Sequence, residues 1–172
     1  MSEKNENSFV GKIVTASSEE VTLPNGFKMV LDRVRHPGGA AVVVVNGQRQ
    51  ICLLKHYRPI AKGWLWELPA GKLEPDESAL QTAQRELEEE TGVTAVKWCE
   101  LGCIWSSPGV FDEKVHLYLA SEITLGQHRR EVDELMDVEW VDFDEAMEWA
   151  KTGKIVDGKT VIGLFRAQPH LI

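Results

Sequence analysis

The stretch GKLEPDESALQTAQRELEEETGV, residues Gly71 to Val93, decides how the rest of the chain is read. Its first part is broken by glycine and proline and reads as a loop. From about Glu77 to Thr91 the apolar residues recur at helical spacing, with Asp76 as the expected N-cap and Gly92 as a left-handed stop. At about 100° per residue and with Leu87 at zero, Leu80, Ala83 and Ala79 fall within about 80° and form the face to be buried. Glu90 then lies at about −60° and Glu86 at about −100°, on the side of the two alanines, with Glu89 farther round. Glutamate-rich helices are most often solvated surfaces. Carboxylates this close to an apolar face repel one another and lose hydration, a cost that cations offset, and hard, oxygen-seeking Mg2+ suits such a cluster.

Strand-like segments lie on both sides of this helix. Upstream, two β-rich stretches flank a hairpin-type turn at Pro24-Asn25-Gly26, and the apolar run AAVVVV leads through Asn46-Gly47 into QICLLKHYR as a second expected hairpin. GWLWELPAGKLEP reads as a short strand entering a loop. Downstream, strands are expected near 95–106, 114–121 and 136–142, with helices near 143–151 and 158–168. Strands before and after a central helix predict an α/β protein, a mixed sheet packed between helices.

The length of 172 residues fits one domain spanning 1–172, with the first eight or so residues expected to be disordered. A composition of 43% hydrophobic and 27% charged residues excludes collagenous, disordered and membrane-embedded classes. Lys+Arg 19 against Asp+Glu 27 gives a formal charge of −8, which speaks against a basic face for nucleic acid, so none is expected as a partner. An acidic protein that handles phosphates needs local cations. The longest apolar run, Ala40 to Val45, is far short of a membrane span, and MSEKNENS is polar rather than signal-like, so the expected location is cytoplasmic with no membrane partner. Cys52, Cys99 and Cys103 are odd in number and are expected as buried free thiols, with no Cys/His pair suggesting zinc.

Gly71, Glu77 and the run Arg85-Glu86-Leu87-Glu88-Glu89-Glu90-Thr91-Gly92-Val93 match the Nudix box at every specified position, so the chain resembles the Nudix hydrolases. The resemblance implies a Nudix-type α/β/α sandwich with N-terminal antiparallel strands and the hydrolysis of a nucleoside diphosphate linked to a further moiety. It makes Glu86 and Glu90 the main ligands of Mg2+, for which Mn2+ can substitute, with Glu89 assisting and the Ala70 carbonyl as a further ligand. Arg85 ion-pairs within the box, Glu77 braces loop and helix, and Gly71 lets the loop turn tightly into the site.

The segments His56-Tyr57-Arg58-Pro59 and Trp66-Glu67-Leu68-Pro69-Ala70-Gly71, together with Pro108 fifteen positions after Val93, are similar to the ADP-ribose pyrophosphatase subgroup. They nominate Arg58, Trp66, Glu67 and Pro108 for substrate binding, Arg58 as a planar cation whose fork bridges phosphate oxygens. Tyr57, Trp64 and Trp66 are candidates for an aromatic wall. The resemblance further implies a homodimer in which strands at about 8–38 pack on the partner, making Phe27 a candidate to stack on the base, while Arg33 and Arg35 share a strand face that reaches phosphate or ribose. It implies a general base from a loop glutamate after the box: Glu134 first, then Glu131, then Glu113. His36, His56 and His116 need no catalytic role. The expected substrate is ADP-ribose or a related nucleoside diphosphate sugar. The rivals are GDP-mannose or dinucleotide polyphosphate hydrolysis, a non-catalytic ADP-ribose sensor and, least favoured by the charge, RNA decapping.

Overall fold

The strand Gly39–Val44 is buried along its whole length, and the architecture follows from what covers its two faces. The computed structural model describes residues 8–129 and 135–171. The elements are β1 (Ser8–Val10), β2 (Thr15–Thr22), β3 (Lys28–Arg35), β4 (Gly39–Val44), β5 (Gln50–Arg58), β6 (Gly63–Glu67), β7 (Ala70–Lys72), α1 (Ala79–Thr91), β8 (Val93–Ser107), β9 (Phe111–Leu125), β10 (Met136–Asp142), α2 (Phe143–Thr152) and α3 (Gly158–Ala167).

β4 runs parallel to β9, with Gly39–Val44 against Val115–Ala120, and antiparallel to β7, with Ala40 opposite Gly71. β9 continues the sheet antiparallel to β8 and meets the end of β3 at Val34 and Phe111, while β1, β2 and β3 form an antiparallel ribbon. Because both faces of β4 are covered, its sequence is continuously apolar rather than alternating. Its side chains still alternate in what they touch. Ala41 and Val43 join Leu68, Phe143, Leu164 and Ala167 on the α3 side, whereas Ala40, Val42 and Val44 join Ala83 and Leu87 of α1. The result is the expected α/β/α sandwich with a mixed sheet.

Three local expectations change. Helix α1 starts at Ala79: Ser78 is its N-cap and forms a capping box with Gln81, and Asp76 sits before it in the left-handed region at φ 65°. The turn after β4 is present, with Asn46 Oδ1 accepting from the main-chain N–H groups of Gln48 and Gln50, yet β4 and β5 form no ladder, and an isolated bridge joins Val45, just after β4, to Ile51. β5 instead pairs with β10 and β6 in a second, three-stranded sheet, so both of its edges are taken. Among the cysteines only Cys52 is buried; Cys99 is half-buried and Cys103 exposed.

Gly92 closes α1 at φ 74°, donates to Glu88 O and accepts from Gly126 N–H at 2.7 Å. A Cβ there would stand 2.6 Å from Gly126 O. Gly92→Ala is therefore expected to lose at least about 1–2 kcal/mol for the left-handed backbone alone, measured by urea unfolding; a variant as stable as wild type would contradict this reading of the helix end.

Candidate active site

Glu77 precedes α1 and Arg85 lies within it, and the two are locked together. Arg85 donates from Nε to Glu77 Oε1 at 2.9 Å and from Nη2 to Glu77 Oε2 at 3.0 Å, while the Thr82 hydroxyl donates to Glu77 Oε2 at 2.7 Å. The third guanidinium nitrogen, Nη1, donates to Glu86 Oε1 at 2.7 Å and Glu89 Oε2 at 3.1 Å, and Nη2 also reaches the Lys72 carbonyl. One planar cation thus holds three carboxylates and ties α1 to β7. The Arg85 hydrogen bond, against a smaller opposing effect of burial, holds the Glu77 carboxyl down at about 2.

The three box carboxylates differ in depth. Glu90 is buried at 3% exposure and its Oε2 accepts from the Ala70 main-chain N–H at 2.9 Å. The side chain of Glu86 is 13% exposed and that of Glu89 41%. Gly71 has a different purpose from the tight turn expected of it. It lies within β7 without a left-handed backbone, and a Cβ at that position would stand 1.8 Å from Glu86 Oε1. Glycine is needed so that a carboxylate can lie directly on the strand.

These groups line a cleft of about 420 Å³ with Ala70, Gly71, Arg58, His56 and Arg129. Among the described residues no three or more acidic, histidine or cysteine side chains stand in a metal-holding arrangement; Arg85 engages Glu86 and Glu89. The donor chemistry nevertheless fits a hard divalent cation, since Glu86, Glu89 and Glu90 all line this cleft together with Ala70 and Gly71.

A second cleft of about 450 Å³ shares His36, Arg58, Ala70, Gly71 and Lys72 with the first and continues to Ile104, Trp105, Ser106, Glu113, Asp157, Lys159 and Ile162. Two residues of its lining meet on Glu67: Arg58 donates to both oxygens of Glu67, each at 2.7 Å, and Lys159 Nζ donates to Glu67 Oε2 at 2.7 Å. Lys159 is also 3.0 Å from Asp157, the N-cap of α3. Burial alone would raise the Glu67 carboxyl, but the hydrogen bond from Arg58 and the charge of Lys159 outweigh it and bring it to about 2. Arg58 keeps Nη1 without a hydrogen bond among the described residues. His56 is buried with no hydrogen-bond partner for Nδ1 among the described residues, and burial followed by the Arg58 charge lowers its pKa, favouring the neutral ring.

The structure gathers Arg58, Glu67, Ala70, Arg85, Glu86, Glu89 and Glu90 around these joined clefts, with Glu113 in the second. The other nominated residues lie outside these two clefts within one chain, Phe27 being nominated for the site of a partner subunit. Trp66 packs against Trp149 at 5.0 Å and lines neither cleft. Pro108 borders a separate depression with Trp105, Arg33 and Asp112. Arg35 pairs with Glu19 at 2.6 Å, Arg33 with Asp112 at 2.7 Å, and Phe27 is exposed at the β2–β3 turn. Glu131 and Glu134 lie outside the described residues. Sequence reasoning missed Lys159 because its importance depends on Glu67, ninety-two positions away; Asp157 as a helix cap was the available signal.

Clustered carboxylates beside a cation are the side-chain types that phosphate chemistry supported by a divalent ion needs. The NUDIX domain model matches residues 35–161, and the chain belongs to the Nudix hydrolase family. It is 38% identical over 161 residues to the ADP-ribose pyrophosphatase of Bacillus subtilis (strain 168), covering 92% of this chain and 87% of that protein. It is 37% identical to the methanol dehydrogenase activator of Bacillus methanolicus, covering 94% and 88%. A solved structure described as an ADP compounds hydrolase superposes with a TM-score of 0.79 over 99% of this chain and 97% of its own, at 20% identity, which shows a shared fold.

Two outcomes follow from the charge arrangement. Gly71→Ala is expected to fold but to displace Glu86 and lose most activity in a steady-state assay; full activity would refute the close approach. Glu67 has its carboxyl lowered from 4.5 to about 2, so its stabilising effect is complete above 4.5 and fades as pH falls toward 2. Glu67→Gln should therefore melt below wild type at pH 7, with the gap narrowing toward pH 2; a gap independent of pH would contradict the assignment.

Proposed function

We propose that this enzyme hydrolyses the diphosphate of ADP-ribose or a related nucleoside diphosphate sugar with Mg2+, giving a nucleoside monophosphate and a sugar phosphate. The observation that carries this reading is the continuity of the carboxylate cleft with the Arg58 cleft along Ala70, Gly71 and Lys72. The name of the Bacillus subtilis relative agrees with it. Glu86, Glu89 and Glu90 would hold the ion, with the Ala70 carbonyl as the expected further ligand. When bound, the ion supplies charge neutralisation for the diphosphate and lowers the pKa of the attacking water.

Arg58, oriented by its two bonds to Glu67, offers Nη1 to a phosphate oxygen. Arg85 keeps the Glu86 and Glu89 carboxylates from splaying apart. Water adds across one P–O bond of the bridge: its hydroxyl goes to phosphorus, its proton to a base, and the bridging oxygen leaves with the other phosphate. Glu134 is the proposed base. In support, the residues flanking 130–134 are anchored near the site: Arg129 N–H donates to Glu89 O at 2.8 Å and Leu135 O accepts from Tyr57 N–H at 2.9 Å. Glu131 and then Glu113 are the substitutes.

The enzyme acts as a homodimer in this reading. Phe9, Val10, Ile13, Phe27 and Val30 of the N-terminal ribbon are all more than half exposed, an apolar surface that a second copy would cover. Three free cysteines fit a reducing, cytoplasmic setting, and no helix among the described residues is long and apolar enough to cross a membrane.

Incubation with ADP-ribose, ADP-glucose, GDP-mannose and diadenosine polyphosphates plus Mg2+ tests the reading. ADP-ribose is expected to give the highest kcat/KM, and turnover of none would favour a sensor. Glu90→Gln should lower kcat by more than about 100-fold, and Glu134→Gln should lower it with little change in KM; an unchanged rate moves the base to Glu131 or Glu113.

A further inference from the structure

Glu67 is almost shut off from water, its side chain 3% exposed, and it is held by two cations where one would serve. Arg58 directs Nε to Oε1 and Nη2 to Oε2, and Lys159 donates to the same Oε2 at 2.7 Å. A bidentate guanidinium by itself neutralises a buried carboxylate and gives each oxygen a donor. A second cation in the same place loses hydration and faces the like charge of the first. Holding Glu67 therefore does not by itself require Lys159.

The fold nevertheless fixes the lysine there. It lies in the first turn of α3, and Thr160 beside it is tied on two sides: its main-chain N–H donates to Asp157 Oδ2 at 3.1 Å, and its hydroxyl oxygen accepts from the N–H of Leu68, the residue after Glu67, at 2.9 Å. Asp157 Oδ2 also stands 3.0 Å from Lys159 Nζ. The lysine side chain is only 18% exposed, and it lines the second cleft together with Arg58 and Asp157. The ammonium is thus kept at the wall of a cavity and not released into solvent.

Charge explains what it does in that position. Paired with Glu67 alone, Arg58 forms a neutral couple whose attraction for an anion in the cleft is that of a dipole. Lys159 returns a positive charge to the couple. Asp157 offsets this only in part, because its Oδ2 also accepts from the N–H and the hydroxyl of Thr160 at the positive end of α3. Arg58 lines both clefts with Ala70, Gly71 and Lys72, so the restored charge acts where the two cavities meet, beside the box carboxylates. A diphosphate approaching those carboxylates needs a net cation on its other side.

We infer that Lys159 is a positioning residue for the diphosphate of the substrate: by sharing the Glu67 carboxylate it leaves Arg58 with net positive charge toward the phosphates. This rests on the nucleoside diphosphate sugar reading above. The test compares wild type, Lys159→Met, Lys159→Arg and the Lys159→Met, Glu67→Gln double variant on the best substrate of the panel with Mg2+, each shown to be folded by circular dichroism at the assay temperature. Lys159→Met is expected to raise KM about tenfold with kcat changed less than about twofold. Its KM should also rise less steeply with added NaCl, because one screened attraction is gone. Lys159→Arg keeps the charge and should bring KM back close to that of wild type. The double variant also removes the carboxylate that Lys159 offsets, and it should bind substrate better than Lys159→Met alone. A lysine that only pins α3 to Glu67 predicts the reverse, a double variant no better than the single one. That result, an unchanged KM in an active Lys159→Met enzyme, or a loss carried by kcat alone would overturn the inference while leaving the substrate reading intact. If Lys159→Met does not fold, the double variant decides: a KM near that of wild type upholds the charge balance, and a KM raised about tenfold overturns it. A wild-type enzyme that turns over no member of the panel overturns the substrate reading and this assignment with it.

Discussion

Two carboxylates of one helix, Glu86 and Glu89, and a third just before it, Glu77, are held near a strand edge by a single guanidinium, and the rest of the site depends on that arrangement. Without Arg85, Glu77, Glu86 and Glu89 would repel one another in a partly dehydrated cleft, and α1 would lose its side-chain tie to Lys72. The pair with Glu77 is the structural half of this clamp, since Thr82 also contributes to it. The bonds to Glu86 and Glu89 set the spacing of oxygens that, in the proposed reading, a divalent ion would share.

Packing makes the clamp effective. Leu87 and Ala83 anchor α1 on Ala40, Val42 and Val44 of β4, and β7 is paired to the same strand, so helix and strand edge are positioned by one common element. The fit leaves no space at Gly71 for any side chain. On the opposite face of β4, α3 carries Lys159 to Glu67 and Thr160 to the Leu68 main chain, which fixes the cation side of the site through the same core. A buried carboxylate shared by Arg58 and Lys159 is costly unless both cations stay in place, so the cluster specifies one arrangement of β5, β6 and α3.

Much of this was legible in the sequence because it is local. The helix period placed Glu90, Glu86 and Glu89 in order of distance from the buried face, and their exposure follows that order. The turns at Asn25-Gly26 and Asn46-Gly47, the stops at Gly92 and Gly153 and the two C-terminal helices were visible from residues that act within a few positions of themselves. What was not legible depends on pairing across the chain. Whether the strand after Asn46-Gly47 returns to β4 or leaves for β10 is decided by partners about ninety residues away. The role of Gly71 depends on the reach of Glu86. The capping residue was misplaced by two positions because Asp76 and Ser78 are both good caps, and only the reciprocal bond to Gln81 separates them.

The most direct test of the account is a titration of Mn2+ followed by electron paramagnetic resonance, on wild type and on the Glu86→Gln, Glu90→Gln double variant, with and without AMP. Saturable uptake by wild type and at least tenfold weaker uptake by the variant is the result expected if these carboxylates exist to hold a divalent ion. Equal uptake by the two proteins, or none by wild type even with nucleotide present, would contradict it.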